Sequence, residues 1–166
     1  MKRLLLLSLS AVLLCTACAT DTRVTSPDGR YELLFDVDDA GRMSYTLRAD
    51  GRELLLPSAL GFECREAVLD SGFRIRGIER RTIDEEWSQP WGENKQMRNH
   101  CNEMTVCLSN DAGTGLTMRF RLFDDGMGFR YEYEVPGVDS LTVTDERTEF
   151  HFAADGDSWT IPANFE

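Results

Sequence analysis

From residue 26 onward, apolar and polar residues alternate in short runs, and each run stops at Gly, Pro or Asp. In YELLFDV (31–37), Tyr31, Leu33, Phe35 and Val37 fall on one side. MSYTLRA (43–49) repeats the pattern with Met43, Tyr45 and Leu47. A period of two marks a strand with one buried face. The intervening DDAG predicts a hairpin loop, DGRE (50–53) a second turn, and SPDGR (26–30) a turn with Pro at its second position. LLLP (54–57), ALGFEC (59–64) and FRIRGIE (73–79) read as further short strands. In the last, Phe73, Ile75 and Ile78 are apolar while Arg74 and Arg76 point away. ERRTIDEEW (79–87) fits either a helical turn or a charged strand end. After residue 18 there is no long segment with a 3.6-residue period and no internal repeat. Many short strands bounded by turn residues predict an all-β fold, an antiparallel β-sandwich.

The sharpest element is the hairpin LTMRFRLFDDGMGFRYEYEV (116–135). Leu116, Met118, Phe120 and Leu122 share one face of the first strand. Phe129, Tyr131, Tyr133 and Val135 share one face of the return strand. Apolar must lie beside apolar, so paired residue numbers sum to an odd value. A sum of 253 sets Arg121 opposite Glu132 and Arg119 opposite Glu134, with DDGMG at the bend. A sum of 251 sets Arg121 opposite Arg130. Opposite charges across a pair stabilise by about 0.2–1 kcal/mol, so the expected register is 253.

The first residues follow another pattern. Met1-Lys2-Arg3 is basic, Leu4–Leu14 is apolar except for serines, and Cys15-Thr16-Ala17-Cys18 follows. This is the layout of a secretory signal, and the run is shorter than the ~20 residues of a spanning helix. The small pair before Cys18 resembles the lipobox of bacterial lipoproteins, although that pattern prefers Leu where Cys15 stands. The resemblance implies a signal peptide over 1–17, lipidation of Cys18, and anchoring of an exported protein to the bacterial outer membrane, periplasmic or cell-surface. Plain secretion is the other reading. Residues 18–25 are then the lipidated cysteine and a tether, and 26–166 the folded domain.

Cleavage there removes Lys2 and Arg3 and leaves 16 basic against 29 acidic residues, a net charge of −13 instead of −11. Such a surface repels phosphate backbones and excludes nucleic acid as a partner. Neutral sugars and cations stay open. Three cysteines remain beyond the signal, Cys64, Cys101 and Cys107. In an extended strand Cys101 and Cys107 are roughly 20 Å apart, beyond disulfide reach. Cys64 with either is open, and free buried thiols are the preferred reading. No CxxC pair survives processing, so zinc has no support.

Candidate chemistry concentrates in QPWGENKQMRNHCNE (89–103). Pro90-Trp91-Gly92 predicts a turn in which Gly92 takes positive φ. Beyond it Glu93, Lys95 and Arg98 are placed to pair as ions. Arg98, Asn99, His100 and Asn102 supply donors, and Trp91 a flat apolar face. That mixture suits a sugar, and it suits equally a polar corner that satisfies strand ends. Glu93 and Glu103 form an acid/base pair for glycoside hydrolysis only if their carboxyls lie about 5–9.5 Å apart. His100 with Glu93 or Glu103 is the one combination that could support mutarotase-like chemistry. His100 and His151 otherwise read as structural or surface residues, no GxSxG is present, and the acidic DDAG and FDDGMG are turns, not calcium loops. Trp159 reads as a core anchor.

QPWGENKQMRNHCNEMTV, MRFRLFDDGMGFRYEYEVP and TEFHFAADGDSWTIPANFE resemble the N-terminal domain of glycoside hydrolase family 97, and SPDGRYELLFDVDDAGRMSYTL and LLLPSALGFE fit its opening strands. The likeness spans 24–166. It implies a supersandwich like that of galactose mutarotases, incomplete at the C-terminus, followed in the family by a catalytic (β/α)8 barrel and a small β domain. It implies an exported, calcium-dependent α-glucosidase or α-galactosidase acting on α-linked oligosaccharides. The catalytic residues belong to the barrel, and the glutamate lent to calcium falls just beyond Glu166, so no catalytic or metal residue is expected in 1–166. Trp91, Glu93, Lys95, Arg98, Asn99, His100, Asn102 and Glu103 are then expected on the side facing the barrel, bordering the sugar pocket. The alternative is a free-standing, lipid-anchored carbohydrate-binding module.

Overall fold

The computed structural model describes residues 21–157 and Trp159. The expected signal peptide, Cys18 and the final residues that carry part of the family resemblance lie outside them. Eleven strands and no helix are found among the described residues. They are β1 (Arg23–Thr25), β2 (Tyr31–Val37), β3 (Met43–Ala49), β4 (Arg52–Leu60), β5 (Phe62–Cys64), β6 (Val68–Leu69), β7 (Arg74–Ser88), β8 (Gln96–Ser109), β9 (Gly115–Phe123), β10 (Gly126–Glu134) and β11 (Val143–Glu146). Two antiparallel four-stranded sheets, β1-β2-β3-β4 and β10-β9-β8-β7, face each other, and β11-β5-β6 forms a small third sheet.

The period-two pattern builds the core. Leu33 and Phe35 from β2 and Met43, Tyr45 and Leu47 from β3 meet Met104, Val106, Met118, Phe120 and Leu122 from β8 and β9. Phe35 and Phe120 lie 5.4 Å apart across the layers, as do Tyr45 and Phe129. Tilted aromatic pairs at this spacing add about 0.5–1.5 kcal/mol beyond area burial.

The turns follow their chemistry. Gly29 N–H donates to Ser26 O at 3.0 Å, closing the Pro27-Asp28 turn. Asp50 and Gly51 both take positive φ, 52° and 75°, the twist that a two-residue hairpin between β3 and β4 requires. Gly61, at φ 139°, breaks ALGFEC in two and moves the chain from the first sheet to the third.

Several expectations are corrected. Arg23–Thr25 pairs with β2, so the folded domain begins before residue 26. Of the two readings of 79–87, the strand holds, as part of the fifteen-residue β7. A register shift between Ile75 and Gly77 moves the core-facing positions of β7 from odd to even numbers, which is why Phe73, Ile75 and Ile78 do not keep one alternation. The β9–β10 hairpin takes neither register considered. Its paired numbers sum to 249, with Arg119 opposite Arg130 and Glu132 opposite Thr117. The apolar faces still coincide, because the sum is odd, and the bend tightens to Asp124-Asp125. Glu132 relieves the like charges by accepting from Arg119 at 3.2 Å and Arg130 at 2.6 Å. Trp159 is 90% exposed and anchors no core. Cys64, Cys101 and Cys107 are free thiols, as expected, but only Cys101 is fully buried.

After β11 the chain returns to the first sheet. Glu149 N–H donates to Ala59 O (2.9 Å), Leu56 N–H to His151 O (2.8 Å) and Ala153 N–H to Leu54 O (3.1 Å). Residues 149–153 thus lie along the free edge of β4. Phe150 reaches Tyr45 and Phe129, and the Tyr45 hydroxyl donates to Glu149 O at 2.9 Å.

Candidate functional site

The strands β7 and β8 are longer than their neighbours. β9 leaves β8 at Asn102, opposite Leu122. Beyond that point Ile83–Ser88 and Gln96–Cys101 continue as a two-stranded arm, roughly 20 Å long at the usual strand rise. Gln89 N–H donates to Lys95 O at 3.0 Å and closes the tip, and Gly92 takes φ 110° as expected. Trp91 stands at the tip, 80% exposed. Glu93 and Lys95 flank it, exposed and in no ion pair among the described residues.

The other candidates are divided by the strand alternation. Arg98, His100 and Asn102 share the side that faces the first sheet. Arg98 pairs with Asp84 through two hydrogen bonds of 2.8 Å, not with Glu93, and holds the Asp84 carboxyl below its ordinary range. Asn102 donates to Thr25 O at 2.9 Å and accepts from the Thr82 hydroxyl at 2.7 Å, tying β8 to β1. Asn99 donates to Glu85 at 3.3 Å on the opposite side.

Glu103 is also on that opposite, outer side, yet it is only 1% exposed. Three guanidiniums cover it. Arg81 Nε and Arg119 Nη1 donate to Oε1 at 2.8 and 3.0 Å, and Arg121 Nε donates to Oε2 at 2.7 Å. Burial pushes the carboxyl pKa up, but the hydrogen bonds from Arg121, Arg81 and Arg119 outweigh it and hold it at about 2. Arg119 also donates to the Thr105 hydroxyl at 3.0 Å and to Glu132. Arg81, Arg119, Arg121 and Arg130 escaped the reading of residues 89–103. The available signal was Arg119 and Arg121 alternating with the apolar face of β9.

This geometry removes the catalytic options for these residues. Glu103 is seven strand steps, roughly 23 Å, from Gln96 at the end of the arm, and Glu93 lies in the loop beyond. The two carboxylates are not an acid/base pair. His100 and Glu103 point to opposite sides and do not converge on a sugar. Glu103 is ionised and saturated by arginine, so it fits neither a general acid nor a cation ligand. Among the described residues no group of three His, Cys, Asp or Glu is placed to hold a metal.

What remains is a sandwich with a projecting, aromatic-tipped arm and a built charge cluster at its root. The family model described as Glycosyl-hydrolase 97 N-terminal matches residues 24–166. The chain belongs to the N-terminal domain family of glycoside hydrolase family 97. It is similar to a retaining α-galactosidase of Bacteroides thetaiotaomicron, 25% identical over 154 residues, covering 89% of this chain and 22% of that protein. The fold is similar to that of a family 97 enzyme from Pseudoalteromonas sp. strain K8 solved with acarbose, with a TM-score of 0.74 and 32% identity over 79% of this chain and 20% of that one. The same enzyme has also been solved with panose. A β-arabinopyranosidase is similar as well, with a TM-score of 0.70 and 27% identity over 80% of this chain and 21% of that chain. The chain spans about one fifth of the length of these relatives.

Proposed function

We propose that this chain is the N-terminal supporting domain of an exported α-glycosidase, an α-glucosidase or α-galactosidase, tethered to the outer membrane through Cys18. The observation that carries the reading is the arm. A sandwich alone does not need a two-stranded ribbon extending past its third strand, and such a ribbon is only marginally stable in water. A neighbouring domain that receives it supplies the missing packing. Trp91, Glu93 and Lys95 at the tip then border the sugar pocket, and Arg98 and His100 line the arm behind them. Cleavage of the glycosidic bond is assigned to the catalytic barrel. The calcium of the full-length enzyme is assigned, with the catalytic residues, to parts of the polypeptide outside this sandwich.

The test is hydrolysis of p-nitrophenyl α-glucoside and α-galactoside by the full-length polypeptide, with and without a calcium chelator. Turnover of either substrate, lost on chelation, is expected. No turnover of any α-glycoside sinks the reading. The exposed Trp91 favours one other assignment, a free-standing carbohydrate-binding module. In that case a native polypeptide no longer than 166 residues binds maltooligosaccharides or α-galactosides on titration and cleaves neither.

A further inference from the structure

The second sheet buries one side against the first sheet, and its other side carries no further layer among the described residues. The registers fix what stands there: odd-numbered residues of β8 and β9, odd-numbered residues of β7 from Gly77 onward, and even-numbered residues of β10. The surface runs without a break from the arm onto the sheet. On the arm Trp87 pairs with Met97, and Ile83 with Cys101. Trp87 is 48% exposed. On the sheet Glu103 draws in Arg81, Arg119 and Arg121, and Glu132 bridges Arg119 to Arg130.

Next to the arginines is a bare strip. Gly126 and Gly128 stand opposite Phe123 and Arg121. A Cβ built on either glycine meets nothing within 4 Å. The Phe123 ring and the Arg119, Arg121 and Arg130 side chains wall a shallow hollow over that backbone. Arg121 uses only Nε on Glu103, and Arg130 is extended into solvent with one pairing, to Glu132. Both keep donors directed outward.

We infer that this outer face is the surface on which the remainder of the polypeptide docks, and that the docking segment brings an apolar patch to Trp87 and Met97 and a carboxylate to Arg121 and Arg130. The inference rests on the family reading for the existence of that remainder, which in the relatives makes up about four fifths of the chain. Three observations select this face. Trp, Met and Arg are the residues enriched in the buried centres of protein interfaces, and here Trp87 and Met97 share one face with the arginines, separated from them by the Glu85–Asn99 and Ile83–Cys101 pairs. The whole sequence carries a net charge of −11, yet the hollow beside Gly128 is lined by Arg119, Arg121 and Arg130 and by no carboxylate, so an acidic segment is complementary there. The opposite side of the arm is occupied by Asp84, Glu86 and Arg98, which pair with one another and leave little apolar surface to bury. That side stays open toward solvent or sugar.

Hydroxyl-radical footprinting of the full-length polypeptide tests this at single residues. Trp87 and Met97 are expected to oxidise at least about tenfold more slowly than in the denatured chain, as for an interface centre, while His100 on the opposite side keeps most of its denatured rate. Arg130→Glu is expected to restore much of the Trp87 oxidation. It acts without touching the arm, so a local effect on the ribbon does not mimic it. Trp87 and Met97 as reactive as His100, each relative to its own denatured rate, overturn the inference. Protection that vanishes on dilution to the monomer also overturns it, because the cover is then a second copy. Hydrolysis measured on the same sample separates the two readings. Turnover with unprotected Trp87 leaves the glycosidase reading and removes the docking face. Protection without turnover does the reverse.

Discussion

Glu103 on β8 and Arg121 on β9 are direct cross-strand partners, and Arg121 Nε donates to Glu103 Oε2 at 2.7 Å. The same carboxylate takes Arg81 and Arg119 on its other oxygen. A carboxylate almost without solvent contact, on the outside of a sheet, is held there by three guanidiniums, of which those of Arg81 and Arg121 stay partly in water. Removing the charge leaves those guanidiniums around an amide. Glu103→Gln is expected to lower stability by about 2–3 kcal/mol, below the 3–5 kcal/mol for breaking a fully buried pair, because the arginines are partly hydrated. Urea unfolding checks this. A loss within 0.5 kcal/mol shows that the cluster does not hold the sheet.

The same group sets an acid limit. Its folded pKa of about 2 lies below the ordinary glutamate value of 4.5. A lowered carboxyl contributes stability that is complete above the ordinary value and is lost as pH falls through the folded one. The contribution is on the order of 3 kcal/mol and drains between about pH 4.5 and 2. Exposed Asp28, Asp38 and Asp84 and half-buried Glu132 are shifted in the same direction and add to the slope. Thermal melts from pH 7 to 2 are expected to fall steeply in the wild type and less steeply in Glu103→Gln. Parallel curves would remove Glu103 as the cause.

Two glycines separate conformation from contact. Gly41 and Gly51 have nearly the same φ, 73° and 75°. A Cβ on Gly51 meets nothing, whereas one on Gly41 meets Phe73 N at 2.4 Å, where the β2–β3 loop is fastened to the chain entering β7. Gly51→Ala is expected to cost about 1 kcal/mol through backbone strain alone. Gly41→Ala is expected to cost at least about 2 kcal/mol more, because backbone must move. Equal losses in denaturant titrations would show that the approach at Gly41 relaxes freely.

The thiols differ in access. Cys101 is fully buried, and burial pushes its thiol pKa up. Cys64 is shifted upward too, by burial and then by Glu66, but it is only half-buried, as is Cys107. Thiolate is the reacting form. Labelling with a disulfide reagent at pH 8 is expected to reach Cys101 last, and only as fast as β8 opens. Rapid labelling of Cys101, read by peptide mass spectrometry, would contradict the packing at the root of the arm.

The strands were legible because the core needs a period of two, and YELLFDV, MSYTLRA and LTMRFRLF show it without interruption. The hairpin register was not legible from pairs of charges. Arg119 and Arg130 tolerate being opposite because Glu132 lies one pair along and Glu103 lies on the neighbouring strand, and a hairpin considered alone contains no Glu103. The arm was missed for a related reason. Its arginines, glutamates and asparagines satisfy one another across two strands, so ERRTIDEEW lacks the apolar alternation that a buried strand shows. Residues 89–103 stand out in the sequence, but the alternation puts Arg98 and His100 on one side and Glu103 on the other, which no reading of spacing along one strand resolves into roles.

The strap of residues 149–153 along β4 has a consequence for biogenesis. The first sheet consists of strands from the first sixty residues, but the edge of β4 is closed by chain that is made about ninety residues later. Contacts of that sequence separation form slowly, and exposed edges meanwhile invite pairing with other chains. During synthesis the domain therefore holds an open β4 until residue 153 is available. A ribosome that delays release of this segment prolongs the interval in which chaperone binding competes with aggregation.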